Sequence, residues 1–415
     1  MSADGFAYSH LFAKDLPPPA PPWTGFPKYN FIGGHNDPVR IPAAAMAEAA
    51  TAVLQRDGAK LALYNFDGPQ GYRLLREFVV DKVGQRPVIK CSVDDVLITS
   101  GSGQGIDLVN QLLLEPGDTV ILEEFTYGGA LTKLKRLGVN IIGAPLDEDG
   151  LKIDALARIF EDLQRNGIVP KYVYTIPTIQ NPTGSILPLE RRQQLLALTR
   201  KHSVPVFEDE CYADLTWNGG GPPSLYSLDP QQVIHIGSFS KTLAPSLRLG
   251  YMVAVPDVMS RLVACKREMD SGTGALDQMV VAEYFSRDFG EHVGGLTATL
   301  HDKLDTMVEA VEREFGTAVE KMWYPKGGIF LWLKLSDRID VTRLVAPAAK
   351  AGIAFNPGPE WSCNPSGTKS HLRLCFALLS KDEIRAGIAE FARVCFEEIG
   401  IPERSANIRR TAASD

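Results

Sequence analysis

Short apolar runs alternate with helical patterns through the middle of the chain, and this alternation restricts the fold most strongly. Val96–Thr99 is followed by a glycine-rich turn, a helical repeat that Pro116-Gly117 ends, and a second apolar run. Further apolar runs lie at residues 119–122, 171–176, 204–207, 233–236 and 249–255, with a helical pattern over Leu189–Lys201. Strands that alternate with helices indicate a mostly parallel sheet covered on both faces. The pattern predicts an α/β fold.

The pattern changes after about residue 290, where a second, smaller α/β domain is expected. Residues 296–315 have the spacing of one amphipathic helix, which Gly316 ends. Strand-like segments at 328–335, 353–356 and 371–378 precede a last helix near 381–399. We therefore expect an N-terminal arm at 1–30, a small domain at 31–60 and 286–415, and a large domain at 61–285.

The arm contains five prolines within residues 17–22, which favours either an extended polyproline segment or a disordered tail. The net charge of −7 argues against non-specific binding to nucleic acid or to an anionic membrane. No apolar run approaches the roughly 20 residues that span a bilayer, and we expect no secretory signal. The six cysteines lack C-x-x-C spacing, so we expect free thiols, no metal site and a cytoplasmic location.

Polar residues follow the predicted strands at the carboxyl ends, where open α/β sheets bind ligands. The turn after the first strand contains Ser102, Gly103 and Gln104, and its backbone N–H groups together with the following helix N-terminus suit a phosphate. The later strands are followed by further polar residues: Asn181, Asp209, Tyr212, Ser238, Ser240, Lys241 and Arg248.

These residues together predict one ligand with four properties. It has a phosphate, a cationic ring nitrogen for Asp209, an oxygen that accepts hydrogen bonds from Asn181 and Tyr212, and an electrophile for Lys241. Pyridoxal 5'-phosphate (PLP) has all four. A lysine that forms a Schiff base must be unprotonated for part of the time, and burial near other cations lowers its pKa. A carboxylate at the pyridine nitrogen keeps that nitrogen protonated, so that the ring accepts electrons.

Each motif alone has a simpler explanation, such as a helix cap at Asp209 or a plain turn at residues 181–184. Their order along successive strands is what favours a single cofactor site. The chain also resembles a known family at these residues. The matches include Phe31-Ile32-Gly33-Gly34, Gly68-Pro69-Gln70-Gly71-Tyr72, Tyr127-Gly128-Gly129, Asn181-Pro182-Thr183-Gly184, Ser238-Phe239-Ser240-Lys241 and Leu372-Arg373-Leu374.

This series is similar to the fold-type I PLP enzymes, specifically the class I/II aminotransferases, and most closely to the 2-aminoadipate and kynurenine aminotransferase branch. The resemblance covers residues 31–391. It implies that Lys241 is the Schiff-base lysine and proton shuttle, that Tyr127 stacks on the cofactor ring, and that Ser102, Gly103, Gln104, Ser238, Ser240 and Arg248 surround the phosphate. It also implies substrate binding by Gly34, Asn181 and Arg373, and a homodimer with its active sites at the subunit interface.

The chain departs from the family pattern at three places. Gly103 stands where relatives often have a glutamine. Phe66 stands where a tyrosine commonly reaches the partner's phosphate, and Tyr64 is a candidate substitute. His35 and Arg40 lie in a substrate-variable stretch and have either substrate-binding or solvated and capping roles.

Two other functions fit the sequence less well. A nicotinamide-binding turn would use Gly101, Gly103 and the acid Glu123, but Ile106 occupies the third glycine position and Lys241 is left unexplained. The effector domain of a transcriptional regulator is disfavoured because about 30 proline-rich residues cannot form a DNA-binding winged helix. The sequence therefore predicts a ping-pong aminotransferase, with a PLP-dependent β-lyase or another PLP-dependent amino-acid enzyme as the alternative. The identities of the amino donor and acceptor stay open.

Overall fold

The fold was analysed in a computed structural model that describes residues 8–13, 16–84 and 91–403. Its strands are β1 (Tyr29–Asn30), β2 (Val96–Thr99), β3 (Thr119–Glu123), β4 (Asn140–Ala144), β5 (Leu146–Asp147), β6 (Gly150–Leu151), β7 (Val173–Thr175), β8 (Val206–Asp209), β9 (Val233–Ser238), β10 (Gly250–Val253), β11 (Val319–Trp323), β12 (Phe330–Leu335), β13 (Ile353–Ala354), β14 (Asn356–Pro357) and β15 (His371–Cys375). Its α-helices are α1 (Ala43–Asp57), α2 (Arg73–Gly84), α3 (Ser102–Leu113), α4 (Gly128–Leu137), α5 (Ile153–Arg165), α6 (Leu189–Lys201), α7 (Leu225–Leu228), α8 (Pro256–Asp270), α9 (Ala275–Phe315), α10 (Val345–Lys350) and α11 (Lys381–Ile399).

A seven-stranded sheet forms the centre of the larger part, in the order β2-β10-β9-β8-β7-β3-β4. Strand β10 is antiparallel to both of its neighbours, whereas the pairs from β9 to β4 are all parallel. The predicted α/β fold with a mostly parallel sheet is therefore confirmed. Strand β4 was not predicted from the sequence.

Both faces of this sheet are buried. Along β2, Ile98 packs into one apolar cluster and its neighbour Leu97 into another, and Val206 and Phe207 divide in the same way along β8. Successive side chains of a strand point to opposite faces, so the two clusters cover the two sides of the sheet. This double burial explains why the strands read as continuous apolar runs.

A second, antiparallel sheet in the order β11-β12-β15-β14 forms the smaller part. It packs with α11 and the later part of α9 around a separate apolar core that includes Leu331, Leu374 and Phe391. Helix α11 begins with a capping box, in which Ser380 and Glu383 each accept a hydrogen bond from the other's backbone N–H. The predicted second α/β domain is confirmed, although β11 was not predicted.

Helix α9 is a single helix of 41 residues, about twice the length predicted from residue 296 onward. Its first part, including Met279 and Phe285, belongs to the core of the large sheet, and its later part, including Leu296 and Leu304, belongs to the core of the small sheet. The helix passes from one core to the other at residues 290–295, where Gly290, Gly294 and Gly295 lie.

The first part of the chain is shared between the two cores. Strand β1 pairs with β13 of the smaller part, whereas Ala49 and Val53 of α1 pack into the core beside the large sheet. The predicted division at residue 60 stays a prediction. Residues 16–27 of the predicted arm form no helix or strand, and Trp23 and Phe26 are exposed. Residues 1–7 and 14–15 of the arm, and 404–415 of the predicted small domain, lie outside the described residues.

Candidate active site

The carboxyl ends of the parallel strands surround a cavity of about 130 Å³, here called the inner cavity. Its lining contains every cofactor-binding residue predicted from the sequence except Gln104. The lining residues are Ser102, Gly103, Tyr127, Ile176, Asn181, Asp209, Cys211, Tyr212, Ser238, Ser240, Lys241 and Arg248. Cys211 and Ile176 were not predicted, since neither carries a group that the predicted ligand requires.

One end of the inner cavity has the features of an anion site. Helix α3 begins at Ser102, so its first backbone N–H groups have no partner within the helix. The Arg248 guanidinium lies so close to Gly101 that a Cβ atom there would lie 2.3 Å from Nη2. Gly101 also has a φ of 79°, which an L side chain rarely adopts. Both observations explain why glycine occupies this turn.

Asp209 ends β8 and lies at the cavity wall as a buried carboxylate. Its Oδ2 accepts a hydrogen bond from the Tyr174 hydroxyl at 2.7 Å, and its Oδ1 accepts one from the Cys211 backbone N–H at 3.1 Å. Among the described residues it forms no ion pair. A buried carboxylate without a cation is costly, so this arrangement fits a ligand that brings a positive charge.

Lys241 lies at the junction of the inner cavity with a second, larger one. Its Nζ donates to the Gly34 carbonyl oxygen at 2.8 Å. Burial lowers the pKa of Lys241 to about 8, and the positive charges of Arg373 and Arg248 act in the same direction. The amine is therefore unprotonated far more often than that of an ordinary lysine.

The second cavity, here called the outer cavity, has a volume of about 550 Å³. It shares Tyr127, Asn181, Tyr212 and Lys241 with the inner cavity. The other lining residues are Gly33, Gly34, Gly128, Gly129, Leu131, Thr132, Lys135, Phe330, Asn356, Pro359, Glu360, Trp361 and Arg373. All three predicted substrate-binding residues, Gly34, Asn181 and Arg373, thus border one space beside Lys241.

Arg373 is a buried cation in the wall of the outer cavity. Its Nη1 donates to Asn181 Oδ1 at 3.0 Å, and its Nη2 donates to Asn356 Oδ1 at 2.7 Å. Its Nε has no partner among the described residues, and no carboxylate pairs with it. Burial lowers the pKa of Arg373 to about 10, so it remains charged at neutral pH. The side chain is therefore available to an anionic ligand group.

Two aromatic rings hold the Arg373 guanidinium between them. Its central carbon lies 3.6 Å from the Phe330 ring centroid and 3.4 Å from that of Trp361. Such contacts fix the plane of the guanidinium, and they are stronger where water is excluded. Phe330, Trp361 and Asn356 were missed by sequence analysis, because nothing in the sequence separates them from ordinary core residues.

Gln104 does not border either cavity. Its side chain points to α8, where Oε1 accepts from Lys266 Nζ at 2.8 Å and Nε2 donates to Asp270 at 2.6 Å. The residue therefore supports the turn from outside rather than lining the inner cavity.

The other singled-out residues also lie outside the two cavities. Arg40 donates from Nε to Thr299 Oγ1 at the surface. His35 packs edge-on against Phe26, and burial, together with the charge of Lys241, lowers its pKa. Tyr64 is 93% exposed, whereas Phe66 packs against Tyr72.

Glu123, the acid of the rejected nicotinamide hypothesis, is buried and bound to its neighbours. It accepts hydrogen bonds from Thr175, Gln180 and the backbone of Ile176. Burial raises its pKa to about 7. Because its oxygens are occupied by protein donors, it is not arranged to bind a ribose.

Residues 30–391 match the family described as aminotransferase class I and II. The chain belongs to the class I and II aminotransferases. It is 34% identical over 368 residues to the 2-aminoadipate transaminase of Thermus thermophilus, which covers 88% of this chain and 89% of that one. The predicted family, including its resemblance to the 2-aminoadipate and kynurenine branch, is confirmed.

Two solved structures are similar to this aminotransferase over most of both chains. LysN, the alpha-aminoadipate aminotransferase of Thermus thermophilus in complex with N-(5'-phosphopyridoxyl)-L-leucine, has a TM-score of 0.82 and 33% identity, covering 89% of this chain and 92% of that one. The Pyrococcus horikoshii kynurenine aminotransferase has a TM-score of 0.83 and 31% identity, covering 91% and 92%. The aminotransferase therefore has the type I fold and uses PLP to act on amino and oxo acids.

The described residues contain no cluster of His, Cys, Asp or Glu that could hold a metal ion. In the same part of the chain, no helix combines the length and the apolar character needed to cross a membrane.

Proposed function

We propose that this aminotransferase works by a ping-pong reaction in which Lys241 is the amine that attaches PLP. The observation that carries the proposal is the content of one cavity: a lysine of lowered pKa, a buried carboxylate without a cation, and an anion site. When bound, PLP supplies an electrophilic carbon and a ring that accepts electrons.

The polar groups of the inner cavity match the cofactor in kind. The N-terminus of α3, Ser238, Ser240 and Arg248 would hold the phosphate, since oriented N–H groups and a guanidinium fork both favour a dianion. Asp209 would hold the protonated ring nitrogen. Asn181 and Tyr212 would bind the ring oxygen, and Tyr127 would cover one face of the ring.

Lys241 would also move the proton during the reaction. As a free amine beside the substrate, Nζ would be suited by its lowered pKa to remove a proton from the substrate Cα and to return it at the neighbouring carbon of the cofactor. The Gly34 carbonyl, which accepts from Nζ at 2.8 Å, keeps the amine at the junction of the two cavities.

Arg373 would bind the α-carboxylate of both the amino acid and the oxo acid. A guanidinium presents parallel N–H groups that match a carboxylate, and Asn181 and Asn356 fix its orientation. Because one anchor serves both substrates, they must use the outer cavity in turn. This requirement supports the ping-pong order.

We further infer a cytoplasmic homodimer. The exposed apolar side chains of Leu61, Leu63 and Tyr64 support a protein interface next to the large sheet, with Tyr64 as the candidate to reach a partner's phosphate site.

The six cysteines are all free, which supports a reducing compartment. The proposed domains remain those predicted from the sequence, although α1, which was assigned to the small domain, packs into the core beside the large sheet.

A panel of amino acids mixed singly with the holoenzyme tests the proposal. An amino donor should remove the visible absorbance of the bound cofactor and yield its oxo acid, and a later addition of an oxo acid should restore the absorbance. A β-lyase would instead release pyruvate and ammonia repeatedly without any acceptor. Protein that stays colourless after incubation with PLP would refute the proposed function.

A further inference from the structure

Lys266 is a buried cation beside the turn that is proposed to bind the cofactor phosphate. It lies on α8 and is 1% exposed. Its Nζ donates to both carboxylate oxygens of Asp270, at 2.9 and 2.7 Å, and to Gln104 Oε1 at 2.8 Å. A buried ammonium is tolerated only where it is paired and hydrogen-bonded, and this one has all three hydrogens directed to acceptors.

Gln104 connects this cation to the turn. Its Oε1 accepts from the Ser100 backbone N–H at 2.8 Å as well as from Lys266, and its Nε2 donates to Asp270 Oδ2 at 2.6 Å. With the oxygen facing two donors and the nitrogen facing a carboxylate, the amide has one satisfied orientation. Ser100 is therefore held at its backbone by a side chain that Lys266 and Asp270 fix.

The side-chain hydroxyl of Ser100 makes two further contacts. Ser100 Oγ lies 3.3 Å from Asp270 Oδ2 and 3.2 Å from Thr273 Oγ1. These contacts end on Ser100, two residues before the helix that begins at Ser102. A set of bonds that served only to join α3 to α8 would not need to include the backbone of the turn.

We infer that Lys266 is a positioning residue: through Gln104 and Asp270 it fixes the turn at residues 100–103 in the conformation that binds the cofactor phosphate. The inference rests on the proposed function, since it assumes that the phosphate lies at this turn. Lys266 lines neither cavity, so it acts through the turn rather than on the cofactor itself.

The test compares two ligands that differ only in the phosphate. The full-length protein is stripped of cofactor and titrated with PLP and with pyridoxal, for the wild type and Lys266→Met. The dissociation constant of pyridoxal divided by that of PLP measures how much the phosphate contributes to binding. We expect Lys266→Met to reduce this ratio about tenfold or more, because hydrogen bonds to a charged group are lost, while pyridoxal affinity changes about twofold at most.

Lys82→Met is the matched control for the loss of a largely enclosed lysine that pairs with an aspartate. Lys82 pairs with Asp214 at 2.8 Å and donates to the Tyr251 hydroxyl, not to any residue of the turn. It should leave the ratio unchanged. An unchanged ratio in Lys266→Met, or an equal reduction in Lys82→Met, would overturn the inference.

Gln104→Ala provides an independent variant if Lys266→Met does not fold. Alanine preserves the helix but removes the amide that joins Lys266 to Ser100, so the ratio should again decrease, and a normal ratio would contradict the inference. Failure of the proposed function is distinguishable, because the wild type would then bind PLP no more tightly than pyridoxal.

Discussion

The guanidinium carbon of Arg373 lies 3.4 Å from the centre of the Trp361 ring. Phe330 covers the opposite face at 3.6 Å, so the guanidinium edge, rather than its face, is directed toward other groups. Asn181, Asn356 and the Gly33 carbonyl accept from its two Nη atoms, whereas its Nε has no partner among the described residues. The proposed carboxylate anchor is thus held in one orientation by the protein itself.

Removing the Arg373 side chain should weaken the binding of both substrates equally. We expect Arg373→Ala to raise KM for the amino donor and for the oxo acid, and to lower kcat/KM by roughly 30- to 1000-fold, equivalent to about 2–4 kcal/mol. Steady-state kinetics with each substrate varied in turn measures this. Arg40→Ala, at an exposed arginine that contacts Thr299, is the control and should behave as the wild type. Unchanged KM values in Arg373→Ala would remove this residue from the substrate site.

Removing one of the two rings should have a smaller effect of the same kind. Trp361→Leu loses a desolvated cation–π contact of about 2 kcal/mol, so kcat/KM should decrease roughly tenfold to thirtyfold for both substrates. Trp323→Leu is the control. The Trp323 ring centroid lies 4.4 Å from Lys321 Nζ, and the residue does not line the outer cavity. Equal losses in the two variants would show that Trp361 acts only through stability.

Replacing Lys241 should abolish turnover while leaving the cofactor site able to bind. Lys241→Ala loses both the attaching amine and the proton carrier, and general acid–base catalysis alone contributes about 10²–10⁴-fold. We expect non-covalent binding of PLP and no measurable amino transfer. Lys241→Arg retains a positive charge that does not dissociate near neutral pH, and it should be equally inactive. Turnover in either variant would contradict the assignment.

The lowered pKa of Lys241 gives a pH dependence with a definite sign. Only the neutral amine attacks an aldehyde, so attachment of PLP to the stripped protein should accelerate as pH rises toward about 8 and then level off. Stopped-flow absorbance measures the rate. In Arg373→Met one nearby positive charge is lost, so the pKa of Lys241 should rise and the midpoint should move to higher pH. A wild-type midpoint near the ordinary lysine value of 10.5 would contradict this prediction.

Asp209→Asn should weaken retention of the cofactor. The amide can still accept hydrogen bonds but no longer carries the charge that favours a protonated ring nitrogen, so PLP affinity should decrease about tenfold to a hundredfold. Equilibrium dialysis of the holoenzyme measures it. Glu208→Gln is the matched control, because Glu208 is the preceding buried carboxylate of β8 and is bound to His235 on the opposite face. Equal cofactor loss in both variants would contradict a direct role for Asp209.

The location of the inner cavity could be predicted because parallel strands end at one edge of a sheet. Asp209, Ser238 and Lys241 are distant in sequence from Ser102, but all four lie at or just after the ends of strands that the apolar runs predicted.

Gln104 shows the limit of this reasoning. Successive residues of an α-helix are turned by about 100°, so Ser102 and Gly103 face the cavity while Gln104 faces α8. Assigning all residues of the motif to the phosphate site ignored this rotation along the helix. Phe330, Asn356 and Trp361 were missed for another reason: Phe330 and Asn356 reach Arg373 through the strand pairing of the small sheet, and Trp361 through the turn that follows β14.

Helix α9 was predicted too short because its first half lacks a clear stripe and contains three glycines. Those glycines lie where the helix leaves one apolar core and enters the other. Glycine is the weakest helix former after proline, costing about 1 kcal/mol relative to alanine, so a bend in α9 costs least at this point. The 41 residues form a rod about 60 Å long that both cores grip. A tilt of one core against the other would therefore require α9 itself to bend, because the helix continues without a loop from one core into the other.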